Sequence, residues 1–96
     1  MRPSEALALH RARIAEIALR HRVNNVRVFG SASRGEDGPD SDLDLLVDPT
    51  EQTTLMDIGA IRHELKHLLG VRVDVLTPNG LPPRYRDQVL REAVPL

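Results

Sequence analysis

Two long stretches of the chain carry apolar residues at the three- and four-residue spacing of an amphipathic helix. The first covers residues 4–22, and Ser4 is predicted to cap its first turn. The second covers residues 54–69. A third, shorter helix is predicted over residues 83–92, and Pro95 is expected to mark its end because proline cannot continue a helix.

Short runs rich in β-branched residues lie between these helices and predict strands over residues 26–29, 43–47 and 71–76. A turn of small residues and the breaker-rich loop 36–41 separate the first two strands. The order of elements is α-β-short α-β-α-β-α. It predicts an α/β (α+β) fold with a small mixed three-stranded sheet flanked by helices. With 96 residues, no repeat and no linker, the chain is expected to form a single domain, 1–96.

Composition narrows the classes of function. The chain has no cysteine, which excludes a disulfide framework, a thiolate nucleophile and a Cys-based zinc site. Its only aromatic residues are Phe29 and Tyr85, too few for a stacking platform, so direct nucleic-acid binding is not expected. No apolar run approaches the roughly 20 residues of a membrane span, and the start of the chain lacks the apolar core of a signal peptide. A cytoplasmic protein without a membrane partner is therefore expected.

Charge is distributed unevenly along the chain, although the net charge is only −1. Residues 31–60 hold one basic residue, Arg34, among many acidic ones, and the segments on either side are basic. A concentrated acidic segment is in most proteins a solvated loop, but it is also a place for a cation. The spacing of the acidic residues decides between these two interpretations.

Asp42 and Asp44 are separated by one residue at the start of a predicted strand. Because residues i and i+2 of a strand point to the same face, their carboxylates lie side by side and repel each other unless a cation or a proton intervenes. Asp74 lies in the third predicted strand and adds a third carboxylate if the two strands are neighbours. Carboxylate oxygens suit Mg²⁺, and a pair of such ions stabilises an in-line phosphoryl displacement.

A turn of small residues directly after the first predicted strand complements these carboxylates. Gly30 allows a phosphate to approach the backbone closely, and the Ser31 hydroxyl and the N–H groups of a helix start bind phosphate oxygens. Arg34, one turn later, adds a cation. The Lys-Ser/Thr ending of a Walker loop and the glycine pattern of a dinucleotide-binding fold are both missing.

Each of these residues also has a simpler interpretation. The Asp-x-Asp pair could blunt the edge of a strand, Asp74 could be a solvated strand residue, and Arg34 could be an ordinary surface arginine. The remaining acidic residues of the loop are interpreted as solubilising residues rather than ligands, because a flexible loop positions carboxylates poorly: Glu36, Asp37 and Asp40.

The pattern Gly30-Ser31-x₁₀-Asp42-x-Asp44, followed by Asp74 on a strand, resembles the signature of the DNA polymerase β superfamily of nucleotidyltransferases. The resemblance covers residues 26–96, and the short chain is similar to the minimal nucleotidyltransferases, the MntA-like antitoxins. It implies the nucleotidyltransferase fold and a set of roles. The triphosphate of ATP would be held by Gly30, Ser31 and Arg34. Asp42 and Asp44 would bind two Mg²⁺ ions, and Asp74 would ligate the catalytic ion and act as base toward the acceptor hydroxyl.

The same resemblance implies a partner and a reaction. Minimal enzymes of this kind transfer AMP from ATP to a Tyr hydroxyl of a HEPN-domain toxin, and so act as the antitoxin of a toxin–antitoxin pair. Two alternatives remain open at this point. The chain could neutralise a toxin by binding alone, or it could transfer a nucleotide to a small hydroxylated molecule such as an aminoglycoside. The intact set of three carboxylates argues against the loss of catalysis.

Overall fold

The computed structural model describes the whole chain, from Met1 to Leu96. The helices are α1 (Pro3–Leu9), α2 (Arg11–Arg20), α3 (Leu55–Leu69) and α4 (Pro83–Glu92). The strands are β1 (Val23–Phe29), β2 (Leu43–Pro49), β3 (Val73–Leu76) and β4 (Val94–Pro95). Two short 3₁₀ turns cover Ser31–Arg34 and Pro78–Gly80. None of the helices combines the length and the apolar character that crossing a membrane requires.

The strands form one mixed sheet in the order β3-β2-β1-β4. β2 and β3 are parallel, whereas β1 runs antiparallel to both β2 and β4. The mixed sheet and its flanking helices confirm the predicted fold class, but the expected count of three strands is wrong. Val94 and Pro95 pair with Val28 and Arg27 at the edge of the sheet. A two-residue strand has too short a pattern to be recognised, because its only signature is this long-range pairing.

One face of the sheet carries the hydrophobic core. Helices α1, α2 and α3 pack on this face, and β2 contributes Leu43, Leu45 and Val47, all fully buried. The helices contribute the apolar residues of the predicted stripes: Leu7, Ile14, Ile17, Ala18, Ile61, Leu65 and Leu69. The alternation of β2 therefore directs every second side chain into the core and the intervening ones to the opposite face.

The opposite face is polar toward the end where β1 finishes and β2 begins. Cross-strand partners share a face, and the register pairs Phe29 with Asp44 and Asp44 with Asp74. Farther along the same face Leu46 is buried, as is Leu81 of the segment that follows β3. No residue of α4 is buried. This second face therefore has only a small apolar cover and leaves the carboxylate end of the sheet accessible.

The single helix predicted over residues 4–22 is wrong, because the structure divides it into α1 and α2 at His10. Ser4 is also not the cap: Arg2 precedes the helix, and the Ser4 N–H donates to Asp37 Oδ2 at 2.8 Å. Neither proline nor glycine stands at the break. At its start, α1 is fastened to the distant loop that carries Asp37.

The other predicted helices have the expected ends. α3 begins after Thr54, whose hydroxyl accepts the N–H of Asp57 while the Asp57 carboxylate accepts the Thr54 N–H at 2.9 Å. Gly70 ends α3 in the left-handed region, with φ of +69°. α4 matches the predicted residues 83–92.

Candidate active site

The three predicted carboxylates belong to two adjacent strands. Asp44 of β2 and Asp74 of β3 are register partners in a parallel pair, so they lie side by side on one face of the sheet. Asp42 stands just before β2, two residues from Asp44. The sequence analysis required the two strands to be neighbours for Asp74 to join the other carboxylates, and the structure shows that they are.

The repulsion within this arrangement affects the ionisation of Asp44. Burial raises the pKa of its carboxyl, and the negative charges of Asp74 and Asp42 raise it further, to about 6. At neutral pH the three groups therefore hold like charges together at an energetic cost. A divalent cation at this place would remove that cost, since it favours the ionised form of each group.

Gly30 touches the same carboxylate from the end of β1. A Cβ atom at this position would lie 2.5 Å from Asp44 Oδ2, closer than a side-chain carbon tolerates. The backbone of Gly30 also adopts φ of +73° and ψ of −159°, a conformation that is essentially restricted to glycine. The close approach and the torsion angles both require glycine here. The start of the turn is therefore held directly against Asp44.

The turn that follows is stabilised locally. The Ser33 hydroxyl donates to the Gly30 carbonyl at 2.7 Å, and the Ser33 N–H donates to the same oxygen at 3.1 Å. Ser33 therefore stabilises the start of the turn through both its side chain and its backbone. The Ser31 hydroxyl forms no hydrogen bond within the protein, and it remains available to a ligand.

Arg34 lies at the end of the turn and is half-exposed, with 49% of its side chain accessible. Its Nε lies 3.1 Å from Glu36 Oε2, and its Nη1 lies 4.0 Å from Glu92 Oε2 at the end of α4. The guanidinium is thus engaged with exposed acidic residues. Its predicted contact with a phosphate stays a prediction.

Residues 11–96 match the model of the nucleotidyltransferase domain family. The chain belongs to this family. The resemblance drawn from Gly30, Ser31 and the three carboxylates is therefore confirmed, and the chain is a nucleotidyltransferase.

Similar proteins give the same picture. The protein adenylyltransferase MntA of Thermococcus cleftensis is 40% identical over 79 residues, which cover 82% of this chain and 80% of that protein. The solved structure of a candidate minimal nucleotidyltransferase is 50% identical, with a TM-score of 0.87 over 97% of this chain and 95% of that one. The crystal structure of the toxin–antitoxin MntA-HepT shares the fold, with a TM-score of 0.68 at 16% identity over 92% of this chain and 69% of that one.

The nucleotidyltransferase site has the donor chemistry that magnesium requires. The side chains of Asp42, Asp44 and Asp74 offer only carboxylate oxygen atoms, the ligands that Mg²⁺ prefers. As the structure stands, no three His, Cys, Asp or Glu side chains are grouped closely enough to hold a metal ion. The magnesium site therefore stays a prediction, supported by its donors and by the repulsion at Asp44.

The carboxylates lie on an open face of the nucleotidyltransferase rather than in a cavity. A cavity of about 480 Å³ lies between α2 and β1 and is mostly apolar. Another, of about 460 Å³, is lined by residues 39–41 and 70–72. Neither contains Asp44 or Asp74. Both residues are partly exposed to solvent.

Two residues of the site region were missed or misjudged from the sequence. Asp37 is buried, with 4% of its surface exposed, and holds the start of α1 instead of solubilising a loop. Arg72 lies beside Asp42, with its Nε 2.7 Å from Asp42 Oδ1. Alternation along the strand could have indicated Arg72, since it precedes Asp74 by two positions. No local signal indicates the burial of Asp37.

Proposed function

We propose that this nucleotidyltransferase uses Mg²⁺ to transfer AMP from ATP to a hydroxyl, that of a Tyr, on a partner HEPN-type toxin, and that it acts as the antitoxin of the pair. The observation that carries this proposal is the side-by-side alignment of Asp44 and Asp74, with Gly30 held against Asp44. A phosphate-binding turn and a row of carboxylates then meet at one end of one sheet face.

The turn would bind the phosphates of the nucleotide. Gly30 presents backbone without a side chain, and the Ser31 hydroxyl and the N–H groups that follow are donors for phosphate oxygens. Arg34 would leave its exposed acidic partners to pair with the triphosphate, which offers more negative charge than one carboxylate. These three residues orient ATP so that its α-phosphate lies above the carboxylates.

The carboxylates would bind the metal ions. Asp42 and Asp44 would hold two Mg²⁺ ions, and Asp74 would share the one nearer the acceptor. When bound, the ions neutralise the charge that develops on the attacking and leaving oxygens. The pKa of Asp44, raised to about 6, is restored toward its ordinary range in that state, because the cation favours the carboxylate.

Asp74 would act as the base. It accepts the proton of the acceptor hydroxyl as that oxygen bonds to the α-phosphorus. The bond from the α-phosphorus to the bridging oxygen breaks, and pyrophosphate leaves with the electron pair. The products are an adenylylated hydroxyl and pyrophosphate, so atoms and charge balance.

A protein acceptor is favoured by the open face and by the relatives. Asp44 and Asp74 lie outside the two cavities described above, and no residue of α4 is buried. MntA of Thermococcus cleftensis is named a protein adenylyltransferase, and a solved toxin–antitoxin complex has the same fold. The Tyr acceptor and the HEPN partner follow from the resemblance to MntA-like antitoxins.

Intact mass spectrometry of the partner tests the proposal. The chain is co-expressed with the protein encoded by its genomic neighbour, the candidate partner, and the mass of that protein is measured after incubation with ATP and Mg²⁺. The matched control carries Asp42→Asn and Asp44→Asn, which keep size and remove charge. The expected result is a mass gain of one or more AMP units, located on a Tyr, with the unaltered chain only.

The other outcomes separate the alternatives. An unmodified partner that both versions bind tightly would indicate neutralisation by binding alone. AMP transfer to an added aminoglycoside without any protein partner would indicate a small-molecule enzyme. Either result would contradict the proposed function.

A further inference from the structure

Arg72 occupies the position beside Asp42 that Asp74 occupies beside Asp44. Its carbonyl accepts the Leu43 N–H at 2.8 Å, which continues the pairing of β2 with β3 by one residue. Its side chain is therefore on the same face as Asp74, since the two residues are i and i+2. Among Asp42, Asp44 and Asp74, Asp42 alone forms an ion pair, and its partner is Arg72.

The guanidinium of Arg72 makes two contacts at once. Nε lies 2.7 Å from Asp42 Oδ1 in an ion pair, and Nη2 donates a hydrogen bond to the Asp40 carbonyl at 2.7 Å. Asp42 Oδ1 accepts no hydrogen bond and has no other ion-pair partner. The planar guanidinium thus joins the backbone of the loop to one chosen oxygen of the carboxylate.

We propose that Arg72 is a positioning residue that fixes the side chain of Asp42, with Oδ1 on the guanidinium and Oδ2 presented to the metal. This inference rests on the proposed function, because it takes Asp42 as a metal ligand. The carbonyl of Asp40 anchors the guanidinium, so Asp42 is held in one orientation before any ion arrives.

Exposure argues that the pair serves the site rather than the fold. The side chains of Arg72 and Asp42 are 69% and 40% exposed, and an ion pair in that setting contributes little to stability. Carboxylates that ligate metals are commonly held by a second interaction, and its loss typically weakens metal binding 10- to 100-fold. Repulsion would have the opposite effect. A cation beside the site repels a metal ion, so if Arg72 acted only by repulsion, its removal would tighten metal binding.

Binding of Mn²⁺ alone, followed by the electron paramagnetic resonance signal of the free ion, tests the inference without any acceptor or transfer step. The variants are Arg72→Gln, which removes the charge, and Arg72→Lys, which keeps the charge but cannot reproduce the fork. The matched control is Arg13→Gln, because Arg13 is exposed on α2, on the other side of the sheet, and forms no ion pair. Thermal unfolding without metal is measured for each protein.

We expect Arg72→Gln to weaken Mn²⁺ binding about tenfold or more, and Arg72→Lys to weaken it several-fold. The melting temperature without metal should stay close to that of the unaltered chain. The control should match the unaltered chain in both measurements.

Three results would overturn the inference. Tighter binding by Arg72→Gln would mean that Arg72 only repels the ion. Binding by Arg72→Lys equal to the unaltered chain would mean that charge suffices. A large fall in melting temperature with unchanged Mn²⁺ binding would assign Arg72 to folding. If the unaltered chain itself binds no Mn²⁺, or binds it equally after Asp44→Asn, the metal site of the proposed function fails as well, which distinguishes the two failures.

Discussion

Gly30 and Asp44 are in contact across the junction of β1 and β2, with room for a glycine and for nothing larger. The position of a Cβ atom on Gly30 lies 2.5 Å from Asp44 Oδ2 and 3.4 Å from Asp44 Cγ. The residue that begins the proposed phosphate-binding turn therefore also restricts where the carboxylate of Asp44 can lie. Any side chain at this position would force the carboxylate of Asp44 to shift.

Gly30→Ala should impair both the fold and the site. The substitution places a Cβ in a backbone region that costs a non-glycine residue about 1–3 kcal/mol, and it adds the clash with Asp44. We expect a loss of stability of at least that size in urea unfolding, together with weakened Mn²⁺ binding.

Gly35→Ala is the matched control for this prediction. Gly35 also has a positive φ, of +69°, but no atom lies within 4 Å of its Cβ position. It should cost about 1 kcal/mol for the left-handed backbone and leave metal binding unchanged. Equal losses of metal binding in both variants would contradict the specific contact between Gly30 and Asp44.

Asp44→Asn should make the metal-free protein more stable at high pH and not at low pH. The pKa of Asp44 is raised to about 6 in the folded state, against 3.8 for an unperturbed aspartate carboxyl. A raised pKa means that the folded state binds more protons between these values, so folding loses stability as the pH rises from about 4 through 6. Asparagine removes that loss.

Urea unfolding at pH 4 and pH 8 in the presence of a chelator measures this difference. Because solvent reaches the site, the gain at pH 8 should be about 1–2 kcal/mol, smaller than the full shift implies. A gain that is the same at both pH values would show that repulsion between carboxylates is not its source.

Glu64→Gln should destabilise the chain at neutral pH. Glu64 of α3 contacts His21 at the end of α2, and Arg20 Nη2 lies 2.9 Å from its Oε1. The hydrogen bond from His21 holds the pKa of Glu64 below its ordinary value, with the charges of Arg20 and His21 acting in the same direction. A lowered pKa contributes stability above the unfolded value of 4.5, and this stability is lost as the pH falls through the folded pKa.

The expected cost of Glu64→Gln at pH 7 is about 0.5–1 kcal/mol, because the side chain is partly exposed, and the cost should shrink toward pH 3. Glu16→Gln, on the exposed side of α2 with no ion pair, is the control and should have no effect. An equal cost at both pH values would contradict an electrostatic origin.

Asp37→Ala should loosen the start of α1. The variant removes the acceptor of the Ser4 N–H at 2.8 Å and leaves that donor without a partner. A cost of about 1 kcal/mol is expected, with faster amide exchange at Ser4. Asp40→Ala is the control, because the Asp40 side chain is exposed and only its backbone carbonyl is bonded. Unchanged amide exchange at Ser4 would contradict the capping role.

The carboxylate site could be predicted from the sequence because its signals are local. The alternation of β2 predicted that Asp42 and Asp44 share one face. The apolar residues around Asp74 predicted a strand of the sheet. The glycine followed by serine after β1 indicated the turn. What remained was the pairing of β2 with β3, which the structure supplies.

The features that escaped the sequence depend on contacts between distant residues. Two strand residues, Val94 and Pro95, are recognised only by their pairing with β1. Asp37 is buried where it accepts the Ser4 N–H, a contact between residues 33 positions apart. No pattern within one segment encodes such a contact.

The proposed reaction is attack at the α-phosphorus of ATP by a hydroxyl of the proposed toxin partner. It is tested most directly by incubating the two proteins with Mg²⁺ and ATP labelled at either the α- or the γ-phosphate. We expect the partner to acquire the α-label and not the γ-label. Asp44→Asn should abolish this transfer, and Asp40→Asn should retain it. Transfer of the γ-label, or α-labelling that persists after Asp44→Asn, would contradict it.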